Sequence, residues 1–297
     1  NMTVFTAEDF TKFMGLAQAI EDEGIRNNAC SLIERMNEVI EGTGDQPILW
    51  QPTIIKVLQS MSNMDNVTDG GAPVSAGSLV AGSHTIPNGL QVVPLNIWQS
   101  RSLWNPDKDS TNRLCSSPDA KLGWKHGNCY DCALGTSKEE GKPPACNKEY
   151  SFMVIAEDLS DMFRLTFAKS QYRSGMDWQK EVVNSRTHPY KRVYSLSGDS
   201  SVKNKKIKEV KAKLLGPTAS RDLPYVTEAY MAFITALYEK QTSDRKAYLL
   251  AYHEETNKRL ISRHNSETGH AIEDYSQGAD GGAPAEGEVA TSGGYAF

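Results

Sequence analysis

Near the start of the chain apolar residues recur at helical spacing. Phe10, Met14, Ala17 and Ile20 follow a Thr6/Asp9 pair with the form of a capping box, and Gly24 interrupts the run. Ile25, Leu32, Ile33, Met36, Val39 and Ile40 predict a second helix stopped by Gly42, in which Cys30 reads as a buried small hydrophobe. Pro52 suits the first turn of a third helix carrying Ile54, Ile55, Leu58 and Met61. Residues 1–62 are thus expected to form a helical subdomain, either packed on the body or used to dock a partner. Residues 63–89 are rich in Gly, Ser, Asn, Asp and Pro and predict a long loop or linker with one short strand near Ser78 to Val80.

From Leu90 the period changes to two. Leu90 to Trp104 predicts a strand that Pro94 confines to an edge or a bulge, and Phe152–Ala156 and Phe163–Ala168 predict two more. A short helix around Trp178, Val182 and Val183 and a strand over Tyr190–Leu196 follow. Lys203–Leu215 fits both periods and is assigned as strand, because Gly198-Asp199 supplies a turn and its neighbours are strands. Two helices, Val226–Glu239 and Arg245–Arg263, occupy residues 216–265. The pattern is α+β: a strand-rich core over 90–215, with a sheet able to close into a small barrel and helices on either side.

Charge adds a division that periodicity does not reveal. Net charge is −5, but residues from Ser266 carry six carboxylates and no Lys or Arg, which leaves 32 cations against 31 carboxylates in residues 1–265. Residues 266–297 therefore read as a disordered acidic tail ending in Tyr295 and Phe297, an aromatic end beside a carboxylate that a basic, apolar pocket on a partner would capture. The sequence offers no apolar run of membrane-spanning length and no basic segment leading into an apolar one, so neither membrane insertion nor secretion is expected.

Four of the five cysteines lie between Cys115 and Cys146. Cys129 and Cys132 form a C-x2-C step, with Cys115 and Cys146 each separated from it by thirteen residues rich in Gly, Asp, Lys and Pro. Such a stretch is too polar to fold around a core of its own, and a tetrahedral ion held by four thiolates would fix both loops. The expectation is a structural Zn2+ site of Cys115, Cys129, Cys132 and Cys146 inside an insertion at 115–146. His126 is the alternative fourth ligand, and an iron-sulfur centre or free thiols are the alternative states. An odd cysteine count with no secretory signal favours a reducing compartment.

Signatures of catalysis are missing: the chain has no Walker A loop and no G-x-S-x-G elbow. His253-Glu254-Glu255-Thr256-Asn257 departs from H-E-x-x-H at its last position, so it reads as a solvated helix face. A closed four-thiolate site leaves no position for an activated water, and no enzyme activity is expected. What remains is aromatic residues interleaved with cations, some of the rings (Trp98, Tyr150 and Trp178 above all) belonging to the core. Trp98, Arg101, Trp104, Arg113, Trp124, Lys125, Tyr130, Lys169, Tyr172, Arg173, Lys191 and Arg192 are candidates to stack on bases and hold phosphates of single-stranded nucleic acid. An interaction protein that uses knuckle and tail to recruit a polymerase, as a transcription or assembly adaptor, is the alternative.

Cys115-Ser116-Ser117, the Cys129/Cys132 step, and Asn147-Lys148-Glu149-Tyr150-Ser151 before an apolar strand resemble the zinc-bearing centre of the single-stranded DNA-binding proteins of T4-like bacteriophages. The resemblance covers about residues 90–215 and the logic of the tail. It implies an OB-like sheet with a zinc subdomain, a sequence-nonspecific role in phage DNA replication or recombination in the cytoplasm of the bacterial host, and a tail that recruits replication or transcription proteins. That family completes its zinc site with an upstream histidine. Here His84 is remote and Cys146 stands in its place; the short basic N-terminal arm is also missing, and Phe297 is closer to the tail ends of bacterial single-strand binding proteins.

Overall fold

The computed structural model describes residues 5–37, 39–40, 48–49, 51–58, 68–69, 72–82, 84–105, 112–136, 144–200, 208–220 and 223–268. Helices α1 (Ala7–Gln18) and α2 (Glu23–Asn37) open the chain. Thr6 and Asp9 form the expected capping box, with Asp9 N–H donating to Thr6 Oγ1 at 3.1 Å and Thr6 N–H to Asp9 Oδ2 at 3.0 Å. The strands follow: β1 (Thr53–Val57), β2 (Leu79–Ala81), β3 (His84–Ile86), β4 (Leu90–Trp104), β5 (Arg113–Ser117), the two-residue β6 (Leu122–Gly123) and β7 (Gly127–Asn128), then β8 (Asn147–Ala156) and β9 (Met162–Ala168). Helix α3 (Tyr172–Asn184), β10 (Arg192–Ser200), β11 (Lys208–Pro217) and helix α4 (Glu228–Thr268) follow. Among the described residues two minor antiparallel ladders lie outside this numbering, Val39–Ile40 with Ile48–Leu49 and Thr68–Asp69 with Ala72–Pro73, so Val39 and Ile40, both β-branched, pair as a strand where the second helix was expected to continue.

Among the described residues nine strands form one sheet, in the order β11-β10-β4-β8-β9-β1-β2-β3, with β5 also paired to β4. Most neighbours are antiparallel, and β1 alone runs parallel to its neighbour β9, with Ile54 opposite Arg164. Segment 53–57 therefore departs from the predicted third helix. Its Thr-Ile-Ile-Lys-Val sequence is β-branched at four of five positions, which favours a pleated ladder over a helical turn. The residue 208–217 strand is as expected.

Both faces of the sheet are covered, and the alternation of β4 and β8 divides the core in two. Val93, Leu95, Met153 and Ile155 point to one side, where they meet Phe13, Ala17, Leu32 and Ile33 of α1 and α2 and Tyr230, Phe233, Ile234 and Leu237 of α4. Val92, Phe152 and Val154 point to the other, joining Trp178 and Val182 of α3. Ile55, Val57 and Leu79 from one end of the sheet share this second core with Leu196 and Val210 from the opposite end, so it lies inside a curl. The architecture is α+β, a half-barrel sheet with helices at the termini. At the seam Gly198 leaves no room for a side chain: a Cβ there would collide with the Gly77 carbonyl and lie 3.1 Å from Val57 Cγ2. Strand β11 is an edge, carrying Lys208, Lys211 and Lys213.

Helix α4 also differs from expectation: one helix of 41 residues replaces the two predicted, and it includes Ser266, placed in the tail by composition. The polar stretch Lys240–Asp244 stays helical because its groups are paired. Lys240 Nζ lies 3.0 Å from Asp244 Oδ1 and 3.0 Å from Asp9 Oδ2, so the residue that caps α1 also ties it to α4. No helix among the described residues is long and apolar enough to cross a membrane.

Candidate metal centre and nucleic-acid interface

The cysteine-bearing insertion grows out of the far end of β4. Leu103 registers with Cys115 and Arg101 with Ser117, after which Asp119 closes a turn by accepting from Ser117 Oγ (3.0 Å) and from the N–H groups of Lys121 (2.9 Å) and Leu122 (3.4 Å). The small β6–β7 ladder then aligns Gly123 with Gly127, and Cys129 N–H donates to Lys121 O at 2.8 Å. Cys146 N–H donates to Leu134 O at 2.9 Å, which returns the chain to the same place before β8 begins. Cysteines up to 31 positions apart thus end on one cavity of about 10 Å3, lined by Cys115, Cys129, Cys132, Cys146, His126 and Arg101 together with Leu103, Gly123, Gly127, Leu134 and Gly135. That volume suits a single ion and excludes an organic ligand.

The donor set, four thiols with an imidazole beside them, fits a soft divalent cation. A Cβ on Gly123 would sit 2.9 Å from Cys115 Sγ and 3.6 Å from Cys129 Sγ, so the backbone is pressed against the thiols where only glycine allows it. As the side chains lie, no three His, Cys, Asp or Glu groups among the described residues form a ready-made ligand set. The thiols line one cavity without being drawn to one point. Burial pushes the Cys146 thiol up to about 11, with Arg101 pulling it down and Cys129, Cys115 and Cys132 adding to the rise. Cys129 is likewise raised by burial, opposed by Ser117 and Arg101. Raised in this way, Cys129 and Cys146 favour the neutral thiol in the absence of a cation.

Helix α4 runs beside the insertion and holds it. Tyr252 Oη donates to Ser116 O (2.9 Å), His253 Nε2 to Asp119 Oδ2 (2.8 Å), Arg245 Nη2 to Pro118 O (2.6 Å) and Arg263 Nη1 to Lys125 O (3.0 Å). Burial of Arg245 lowers its pKa to about 10, which leaves it cationic at neutral pH, and its guanidinium lies 4.4 Å from the Trp98 ring centroid. The segment 253–257 is only partly the solvated face expected. Glu254 and Glu255 pair outward with Lys258 and Arg259, whereas His253 and the buried Thr256 turn inward.

The candidate nucleic-acid residues separate into three groups. Arg101 and Trp98 are withdrawn into the structure: Arg101 is 5% exposed beneath the knuckle, and Trp98 packs against the helical core under Arg245. Neither is presented to a phosphate or base, because strand alternation and the covering helix turn both inward. A second group rims the knuckle: Trp104 is 36% exposed with the Arg113 guanidinium 4.7 Å from its ring, Tyr130 is 65% exposed, and Trp124 and Lys125 are half-buried. Lys169, Tyr172 and Arg173 lie at the same end of the sheet, since Ala168 is opposite Glu149 and Glu149 opposite Ser100. Tyr172 is partly engaged, its ring 5.0 Å from Tyr150, and Arg173 faces Asp177 at 3.8 Å. Lys191 and Arg192 form the third group, apart at the start of β10. The tail with Tyr295 and Phe297 lies outside the described residues.

Arg164 is the residue that sequence reasoning missed. On β9 it faces the same side as Thr166, beside Glu149 and Arg113, and its Nε has no acceptor among the described residues. Its alternation with Phe163 and Leu165 puts it on the non-core face of a half-buried strand, which by itself assigns it no role. Tyr150 and Trp178, expected in the core, are buried there at 4% and 3% exposure. No family model matches the chain, and neither a curated protein nor a solved structure matches it.

Proposed function

We propose that this chain is a non-catalytic, sequence-nonspecific single-stranded DNA-binding protein. It would act in phage DNA replication or recombination in the cytoplasm of a bacterial host, with an OB-like sheet as its platform. Cys115, Cys129, Cys132 and Cys146 would hold a structural Zn2+, which supplies the positive charge that lets buried thiols ionise and closes the insertion without chemistry of its own. The observation that carries the reading is the convergence of the four cysteines on one ion-sized cavity at the end of the curled sheet where Trp104, Arg113, Trp124, Lys125, Tyr130 and Lys169 gather. Rings on such a rim stack on unpaired bases at about 1–3 kcal/mol each, and the cations beside them take phosphates. The acidic tail would recruit replication proteins.

Quenching of tryptophan fluorescence by oligo-dT, measured at two salt concentrations, tests this directly. Saturable binding that weakens steeply with salt and exceeds binding to duplex is expected; equal affinity for duplex at low salt overturns the reading. A polymerase-recruiting adaptor is the second reading, favoured by the exposure of Tyr130 (65%) and Leu134 (38%) on the knuckle. Removing Tyr295–Phe297 separates the two: DNA affinity is kept or rises under the first, and the principal activity is lost under the second.

A further inference from the structure

Arg101 is buried to 5% exposure in the wall of the four-cysteine cavity. Its Nη1 donates to the carbonyls of Cys129 (3.2 Å) and Gly135 (3.3 Å), while its Nε has no acceptor among the described residues. Among the described residues no carboxylate stands within ion-pairing distance of it. A guanidinium never loses its proton in a protein, and two carbonyl dipoles do not supply the counter-charge that burial demands. Among the described residues, the other charge-bearing groups lining this cavity are the thiols and His126. The backbone is fitted around the cation: a Cβ on Gly135 would collide with the Arg101 guanidinium.

We propose that Arg101 is the counter-charge of an anionic metal–thiolate centre, a positioning residue that sets the affinity of the knuckle for a divalent cation and does not contact nucleic acid. The inference rests on the metal reading above. Four thiolates around a divalent ion carry a net charge of −2, and a buried guanidinium beside them halves it; the same guanidinium fixes the two carbonyls that orient the Cys129–Gly135 turn. Outer partners of metal ligands typically change affinity by about 10–100-fold when removed.

The test is titration of the reduced, metal-free full chain with Co2+, read by its visible d–d and thiolate charge-transfer absorption, for wild type and for Arg101→Met, Arg101→Gln and Arg101→Lys. Met and Gln should both bind at least about tenfold more weakly, and Lys should recover most of the loss. Recovery by Gln but not Lys would mean that Arg101 serves only as a neutral hydrogen-bond donor, and overturns the proposal, as does wild-type affinity in Met. If wild type itself gives no thiolate absorption, the metal reading fails and the proposal with it, an outcome distinct from a wild type that binds alongside unaffected variants. Should Met and Gln lose the native far-UV circular dichroism, Lys decides alone: near wild-type affinity upholds the role and a tenfold loss overturns it.

Discussion

Asp119 and Gly135 carry most of the local logic of the knuckle. Burial alone would raise the Asp119 carboxyl, yet the N–H groups of Lys121 and Leu122, the Ser117 hydroxyl and His253 hold it below its ordinary value. A carboxylate depressed in the folded state contributes stability above its unfolded value of about 3.9, and that contribution is lost as pH falls through the lower folded value. Amide exchange at Lys121 and Leu122, corrected for its intrinsic rate, should therefore stay slow at neutral pH and accelerate below about pH 4. Asp119→Asn should cost about 1–3 kcal/mol locally and speed the same amides at neutral pH, with the difference from wild type closing below about pH 4; unchanged protection at neutral pH would show that the turn does not depend on the charge. The same residue scale explains why the burial of Arg101 is not legible in the sequence. Composition records a cation beside aromatics, and only the register of β4 reveals that its side chain is enclosed.

At the scale of elements, α3 is held against the sheet by contacts that leave nothing spare. The Trp178 ring lies flat on Phe152, centroids 4.0 Å apart, and a Cβ on Gly175 would stand 2.5 Å from Phe167 Cβ and 3.0 Å from that of Tyr150. Gly→Ala in a helix ordinarily gains up to about 1 kcal/mol, but overpacking against strand-borne Cβ atoms costs about 1–3 kcal/mol. Gly175→Ala should therefore lower the melting temperature by a few degrees, and a rise would show that α3 shifts freely. The long strands from Leu90 onward (β4, β8, β9, β10 and β11) were legible from their apolar runs or alternation, whereas the short β5, β6 and β7 inside the cysteine insertion carry no such pattern. Residues 53–57 were not, since Ile54, Ile55, Leu58 and Met61 also satisfy helical spacing. Their parallel partner lies over a hundred residues away, and no local pattern announces such a pairing. The single α4 was hidden for a related reason: the polar run that looked like a break is paired partly within the helix and partly with Asp9, at the other end of the chain.

For the whole molecule, α4 makes the knuckle part of the body. Its first turns bury Tyr230, Phe233 and Leu237 in the helical core, and Tyr230 Oη donates to Glu157 O at 2.7 Å; about 40 Å further on, at 1.5 Å per residue, Arg263 reaches Lys125. If the knuckle holds the proposed ion, its loss should loosen the knuckle and the second half of α4 while α1, α2 and the first half keep their packing. Cys129→Ser is expected to weaken oligo-dT binding, to abolish stoichiometric Zn2+ and to leave most of the far-UV circular dichroism intact. Full affinity in the metal-free variant would mean that the knuckle does not position the rim. That the insertion has an owner was legible in the cysteine spacing; that the owner is a C-terminal helix was not, because its contacts are isolated side chains with no motif.

If the chain coats single-stranded DNA as proposed, the lysines of β11 have a consequence for how copies crowd along it. An open sheet edge is a template for pairing with the next copy, and coated DNA would bring many such edges together. Lys208, Lys211 and Lys213 outnumber the one carboxylate on β11, Glu209, which pairs with Lys211 at 3.1 Å, so a second β11 meets a net positive edge, and the opposite edge, β3, is three residues long, too short to template a ladder. Neighbouring molecules can then be dense without fusing their sheets into fibres.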